Sequence, residues 1–141
     1  MTKTDDNTHN NNTQNDVRSK QRFETFMKAL RRYEEAATPQ LNRLEEEGLI
    51  QRFEYTFELA WKYLQDILFE RGYADVRGPR PVIERAFQDG IISNGATWLE
   101  MLKARNQTTH LYDEATFQSI ITNVRSRFLV TLQELADAKQ S

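Results

Sequence analysis

From Phe23 onward, apolar residues return every three or four positions, the period of helices that each turn one face inward. Phe23, Phe26, Met27, Leu30 and Tyr33 predict a first helix from Ser19, a capping residue type, to about Ala37. Thr38-Pro39 reads as a cap followed by a first-turn proline, so a short helical piece is expected over Pro39 to Glu47, with a break at Gly48. Ile50, Phe53, Phe57, Trp61, Leu64 and Leu68 then trace one face over about five turns, the strongest signal in the chain, until Gly72 stops it. A turn at Gly78-Pro79-Arg80-Pro81 leads into a short amphipathic helix with Val82, Ile83, Ala86 and Phe87, closed by Gly90. After a turn at Asn94-Gly95, Trp98, Leu99, Met101 and Leu102 mark a further helix running to about Asn106. The final helix is expected to start at an Asp113 cap and to carry Phe117, Ile120, Ile121, Val124, Phe128, Leu132 and Leu135 on one face. Four substantial helices with short connections predict an all-α, antiparallel up-and-down four-helix bundle with one or two short extra helices.

Composition adjusts that picture at the N-terminus. Residues 1–18 are rich in Asn and Thr and nearly devoid of apolar side chains, so they are expected to form a disordered tail, leaving 19–141 as one domain. The chain of 141 residues is long enough for one core, with 38% hydrophobic and 28% charged residues. It has no apolar run near the roughly 18 to 20 residues needed to cross a bilayer and no signal-peptide segment, so a cytoplasmic protein without membrane contact is expected. Cysteine is absent, which removes disulfides and thiolate chemistry, and the histidines are His9 in the tail and His110. Neither a metal nor a cofactor is expected on this composition. A net charge of −2 gives no global attraction to nucleic acid. Any RNA contact then needs a local patch, for which Arg80, Arg85, Lys103, Arg125 and Arg127 are candidates, though each reads first as a solvated surface charge.

The residues that suggest chemistry are Arg105, Asn106, His110 and Tyr112, an R-N-x-x-x-H-x-Y run between the last two major helices. Arg105 follows Leu102 by three residues and Met101 by four, which puts a guanidinium on or beside an apolar stripe. It needs a carboxylate such as Glu58 across the bundle, or a wet cleft. Glu54, Glu58 and Lys62 themselves read first as a solvated ladder on a neighbouring stripe. Arg105 thus has a structural reading, an ion pair beside a harmless loop histidine, and a chemical one. In the chemical one the imidazole takes a proton from a ribose 2′-hydroxyl or gives one to the leaving oxygen, and the guanidinium fork holds the phosphate charge that builds in the transition state. Asn106 then orients the histidine or bonds the phosphate. One chain supplies one ordered imidazole, so a two-fold homodimer that faces two such junctions together would complete the pair of acid and base.

Arg105 to Tyr112 matches the R-x4-H-x-Y signature of HEPN domains. The blocks Gln51 to Lys62, Gly78-Pro79-Arg80 with Val82-Ile83 and Ala86-Phe87, and Trp98 with Met101-Leu102 closely resemble the nucleotidyltransferase substrate-binding protein branch of that superfamily, over about Gln21 to Leu135. The resemblance implies a four-helix homodimer with the motifs at its cleft, encoded beside a minimal nucleotidyltransferase. It further implies a toxin and antitoxin pair, in which Arg105 and His110 cut RNA without metal and the partner silences the enzyme by transferring AMP to Tyr112; Asn106 beside them, and Glu58 as the support of Arg105, are added by the reading of the residues above. Added bulk and negative charge two residues from His110 would block an RNA phosphate. The alternatives are a non-catalytic subunit that binds the substrate of a two-component nucleotidyltransferase, and a helical interaction module in which Arg105 is structural.

Overall fold

A computed structural model describes the backbone of residues 2–140 and the side chains of residues 17–139. The expected tail, residues 1–18, therefore lies outside the described side chains except for Val17 and Arg18, which are exposed. Among the described residues the elements are α1 (Thr2–Ala36), α2 (Arg43–Glu70), α3 (Pro79–Gln88), α4 (Gly95–Asn106), a 3-10 turn (Thr108–His110), α5 (Glu114–Val124) and α6 (Arg127–Gln140), with no strand. The all-α bundle is thus as expected: α1, α2, α4 and the α5–α6 pair are its long members and α3 is the short addition. No helix among the described residues is long and apolar enough to cross a membrane.

Helices α1 and α2 run antiparallel, as their contacts show. Ser19 pairs with Glu70, Arg22 with Asp66, Phe23 with Tyr63 and Tyr33 with Phe53, so one number rises as the other falls. Ser19 does not cap a helix; it sits inside α1, buried, and its hydroxyl donates to the Glu70 carboxylate. Helix α2 is the centre of the molecule, packed against α1, α3, α5 and α6. It starts earlier than the expected break at Gly48 allows. Asn42 accepts from the Glu45 backbone N–H at 2.8 Å, and the Glu45 carboxylate accepts from the Asn42 N–H at 2.9 Å, a reciprocal cap that launches the helix six residues before Gly48. Beyond α2, Gly72 adopts a φ of 99° and Gly90, after α3, a φ of 75°, conformations that side-chain-bearing residues avoid.

The expected last helix is divided. Arg125 and Ser126 separate α5 from α6, the Ser126 hydroxyl bonding back to the Thr122 carbonyl at 2.7 Å and the Arg125 guanidinium donating to the carbonyls of Thr38 and Pro39. A hydroxyl that competes for a carbonyl one turn back is a known cause of helix bending. Tyr33 fixes the same corner, donating its buried hydroxyl to the Val124 carbonyl at 2.5 Å. The apolar face survives the break because Phe117, Ile121, Val124, Phe128 and Leu132 all remain buried.

Candidate functional site

Helix α4 buries Trp98, Met101 and Leu102, and the next residue on that side is Arg105, half-buried at the end of the helix. Asn106 ends α4, and the chain tightens at once: the Thr108 hydroxyl donates to the Arg105 carbonyl at 3.0 Å, and the His110 N–H donates to the Gln107 carbonyl at 2.9 Å. The turn closes into α5 through Asp113, whose carboxylate accepts from both the Thr116 backbone N–H and its hydroxyl. Those bonds hold the Asp113 carboxyl below its usual range. A short, well-bonded junction therefore carries the whole Arg105 to Tyr112 run.

The structure brings Arg105, Glu58 and Asn106 together. Arg105 meets Glu58 Oε1 at 2.7 Å, and its Nη1 donates to Asn106 Oδ1 at 3.2 Å. Oε1 of Glu58 is sealed from solvent, and the 2.7 Å contact is an ion pair without the alignment of a hydrogen bond. The other oxygen of Glu58 accepts from Trp61 Nε1 at 3.1 Å, which locks the carboxylate from behind. Asn106 serves the guanidinium, and no described contact joins it to His110. His110 and Tyr112 instead face outward: Tyr112 is 83% exposed, and the two rings meet edge to face with centroids 6.0 Å apart.

Three residues absent from the sequence-level site complete it. Gln51, Glu54 and Tyr55 join Glu58 and Arg105 in lining a cleft of about 460 Å³. Burial raises the Glu54 carboxyl above its ordinary value, against the contact with Thr108 and the charge of Arg105, with Glu58 adding to the rise. A neighbouring groove of about 430 Å³ shares Gln51 and Glu54 and extends to Thr108, Leu111 and Tyr112. The signal that could have found these residues is their spacing: Gln51, Glu54, Tyr55 and Glu58 fall at i, i+3, i+4 and i+7, one stripe of α2. Lys62, read in the same ladder, lies near the Trp61 ring instead.

A groove of about 510 Å³ on another side of α4 holds Lys103 and Arg127 but no motif residue, and Arg127 is paired there with Glu100. The remaining basic candidates are engaged as well: Arg80 with Glu84, Arg85 over the Tyr73 ring, and Arg125 with Glu46 and two carbonyls. Chemistry and cavity size thus point to different places, and the smaller cleft is the better candidate because it holds the half-buried ion pair.

A family model described as "Nucleotidyltransferase substrate binding protein like" matches residues 21–141. A crystal structure of a protein from Thermus thermophilus is similar with a TM-score of 0.69 at 30% identity, covering 79% of this chain and 98% of that one. No curated protein matches the sequence.

Proposed function

The chain belongs to the nucleotidyltransferase substrate-binding protein-like family, of HEPN type, and from that premise we propose that it is the helical partner of a nucleotidyltransferase and itself a metal-independent endoribonuclease. In this reading it is toxic alone, acts as a homodimer, and is silenced by AMP transfer to Tyr112. The observation that carries the reading is the junction itself: a guanidinium anchored by Glu58, followed within one tight turn by an exposed imidazole and an exposed phenol.

His110 takes the proton of the ribose 2′-hydroxyl as that oxygen attacks phosphorus. The bond to the 5′-oxygen breaks, leaving a 2′,3′-cyclic phosphate, and the leaving oxygen takes a proton from His110 of the second copy. Arg105 holds the non-bridging oxygens, since Glu58 and Asn106 engage only part of a fork with five N–H donors. In silencing, the Tyr112 oxygen attacks the α-phosphorus of ATP and pyrophosphate leaves. The exposure of Tyr112 suits a hydroxyl that must enter another enzyme's active site.

Purified protein incubated with RNA in EDTA should cut it, and His110→Ala should not; equal cutting by both, or none by the unmodified protein, refutes the nuclease. With the nucleotidyltransferase and ATP, mass spectrometry should find one AMP mass on Tyr112, lost in Tyr112→Phe. A second reading, a non-catalytic subunit presenting substrate to the nucleotidyltransferase, draws support from Glu54 and Glu58, which make the cleft around Arg105 acidic for a polyanion. It predicts that Arg105→Ala lowers the transferase activity of the pair while RNA stays intact.

A further inference from the structure

Tyr55 has no task within the chain. The core face of α2 is carried by Phe53, Phe57, Ala60 and Leu64, all fully buried, whereas Tyr55 stands on the other stripe, 58% exposed. No hydrogen bond or ring contact among the described residues engages it. It borders a shallow, open cleft. It shares that 460 Å³ cleft with Gln51, Glu54, Glu58 and Arg105, so an aromatic ring, a primary amide and a guanidinium line one surface beside two carboxylates, of which Glu58 is paired with Arg105.

That set is what recognition of an unpaired nucleotide requires. Bases splayed from single strands stack on aromatic rings, their edges bond to side-chain amides, and the adjoining phosphate meets a cation. Gln51 offers two donors and an acceptor, which matches a base edge of mixed polarity. A base still paired within a duplex cannot lay its face on a ring in such a cleft. We infer that the cleft between α2 and the end of α4 is a subsite for an unpaired nucleobase of single-stranded RNA, stacked on Tyr55 and edge-bonded by Gln51 beside the phosphate at Arg105. The assignment rests on the RNA reading above.

The test is binding of a fluorescently labelled ten-nucleotide single-stranded RNA to the full chain carrying His110→Ala, which removes cleavage from the measurement. Adding Tyr55→Ala should weaken binding roughly ten-fold, the scale of one lost base stack, while Tyr55→Phe stays within about two-fold. The same RNA annealed into a duplex should bind weakly and show no dependence on Tyr55. Undiminished binding by Tyr55→Ala, an equal loss for strand and duplex, or no binding of the strand at all overturns the subsite. So does a loss of binding accompanied by a changed oligomer mass on a sizing column, which makes Tyr55 an assembly residue. Displacement of the strand by micromolar AMP gives the ring to a free nucleotide and equally overturns the assignment. Tyr55-dependent binding of RNA that the unmodified protein never cuts leaves the subsite standing and removes the nuclease, so the two failures are distinct.

Discussion

Glu54 and Glu58 sit one turn apart beside the same guanidinium, but only Glu58 takes the ion pair, and burial holds the Glu54 carboxyl above its ordinary pKa of 4.5. An acid whose folded pKa is raised contributes stability that is fully present below its unfolded pKa and is lost as pH rises through the folded value. Glu54→Gln removes that titration, so wild type should lose stability relative to the variant as pH rises from about 4 toward neutrality. Urea midpoints for both proteins at several pH values measure it, and a difference that stays constant with pH defeats the idea. The residues differ in how far the sequence exposes them. Arg105, Asn106, His110 and Tyr112 are legible because they share one short segment, and Glu58 because a guanidinium beside an apolar stripe demands a carboxylate. Gln51 and Tyr55 are not, since a polar or aromatic side chain off the core face reads as ordinary surface until α4 is seen to form the opposite wall.

Among the elements, two glycines read as punctuation turn out to have different roles. Gly48 lies inside α2, where a Cβ would meet nothing within 4 Å, so the helix passes through it at the modest cost of a flexible residue. Gly95 is the first residue of α4, and a Cβ there would lie 2.9 Å from both Cγ and Cδ1 of Phe87. Gly48→Ala should therefore gain up to about 1 kcal/mol from helix propensity. Gly95→Ala should lose about 1 to 3 kcal/mol by crowding α3 against α4, and adding Phe87→Ala should recover most of the loss. Chemical denaturation checks the pair; a stable Gly95→Ala protein would mean that Phe87 moves aside freely. The apolar period marks the long helices because burial imposes it, as the fully buried Phe53, Phe57 and Leu64 show. Boundaries were harder: the Asn42 and Glu45 cap outweighs a glycine six residues on, and the α5–α6 break leaves no trace in a pattern that continues through Val124 and Phe128.

At the scale of the molecule, charge and stoichiometry bear on the same question. The chain carries a net charge of −2, and four of the five cations named as RNA-binding candidates, Arg80, Arg85, Arg125 and Arg127, are engaged by internal partners, which leaves Lys103 of that set to a phosphate backbone. One copy also offers a single described imidazole, exposed on the 3-10 turn and without a described contact to Arg105. Two copies related by a two-fold axis would supply two of each group, and in such a site a guanidinium and an imidazole need not come from the same chain. When Arg105→Ala and His110→Ala subunits, each inactive alone, are co-expressed, the mixed dimer holds one intact Arg105 and one intact His110, so it should regain only the small part of the cleavage in which water replaces the second imidazole as the acid. The mixed species, isolated with two affinity tags, is assayed on RNA in EDTA beside the two parent dimers. Restored cutting requires a composite site, since no chain in the sample has both groups; a mixed dimer as inert as its parents would mean that both imidazoles are required, that each protomer must complete its own site, or that the cleft cuts nothing.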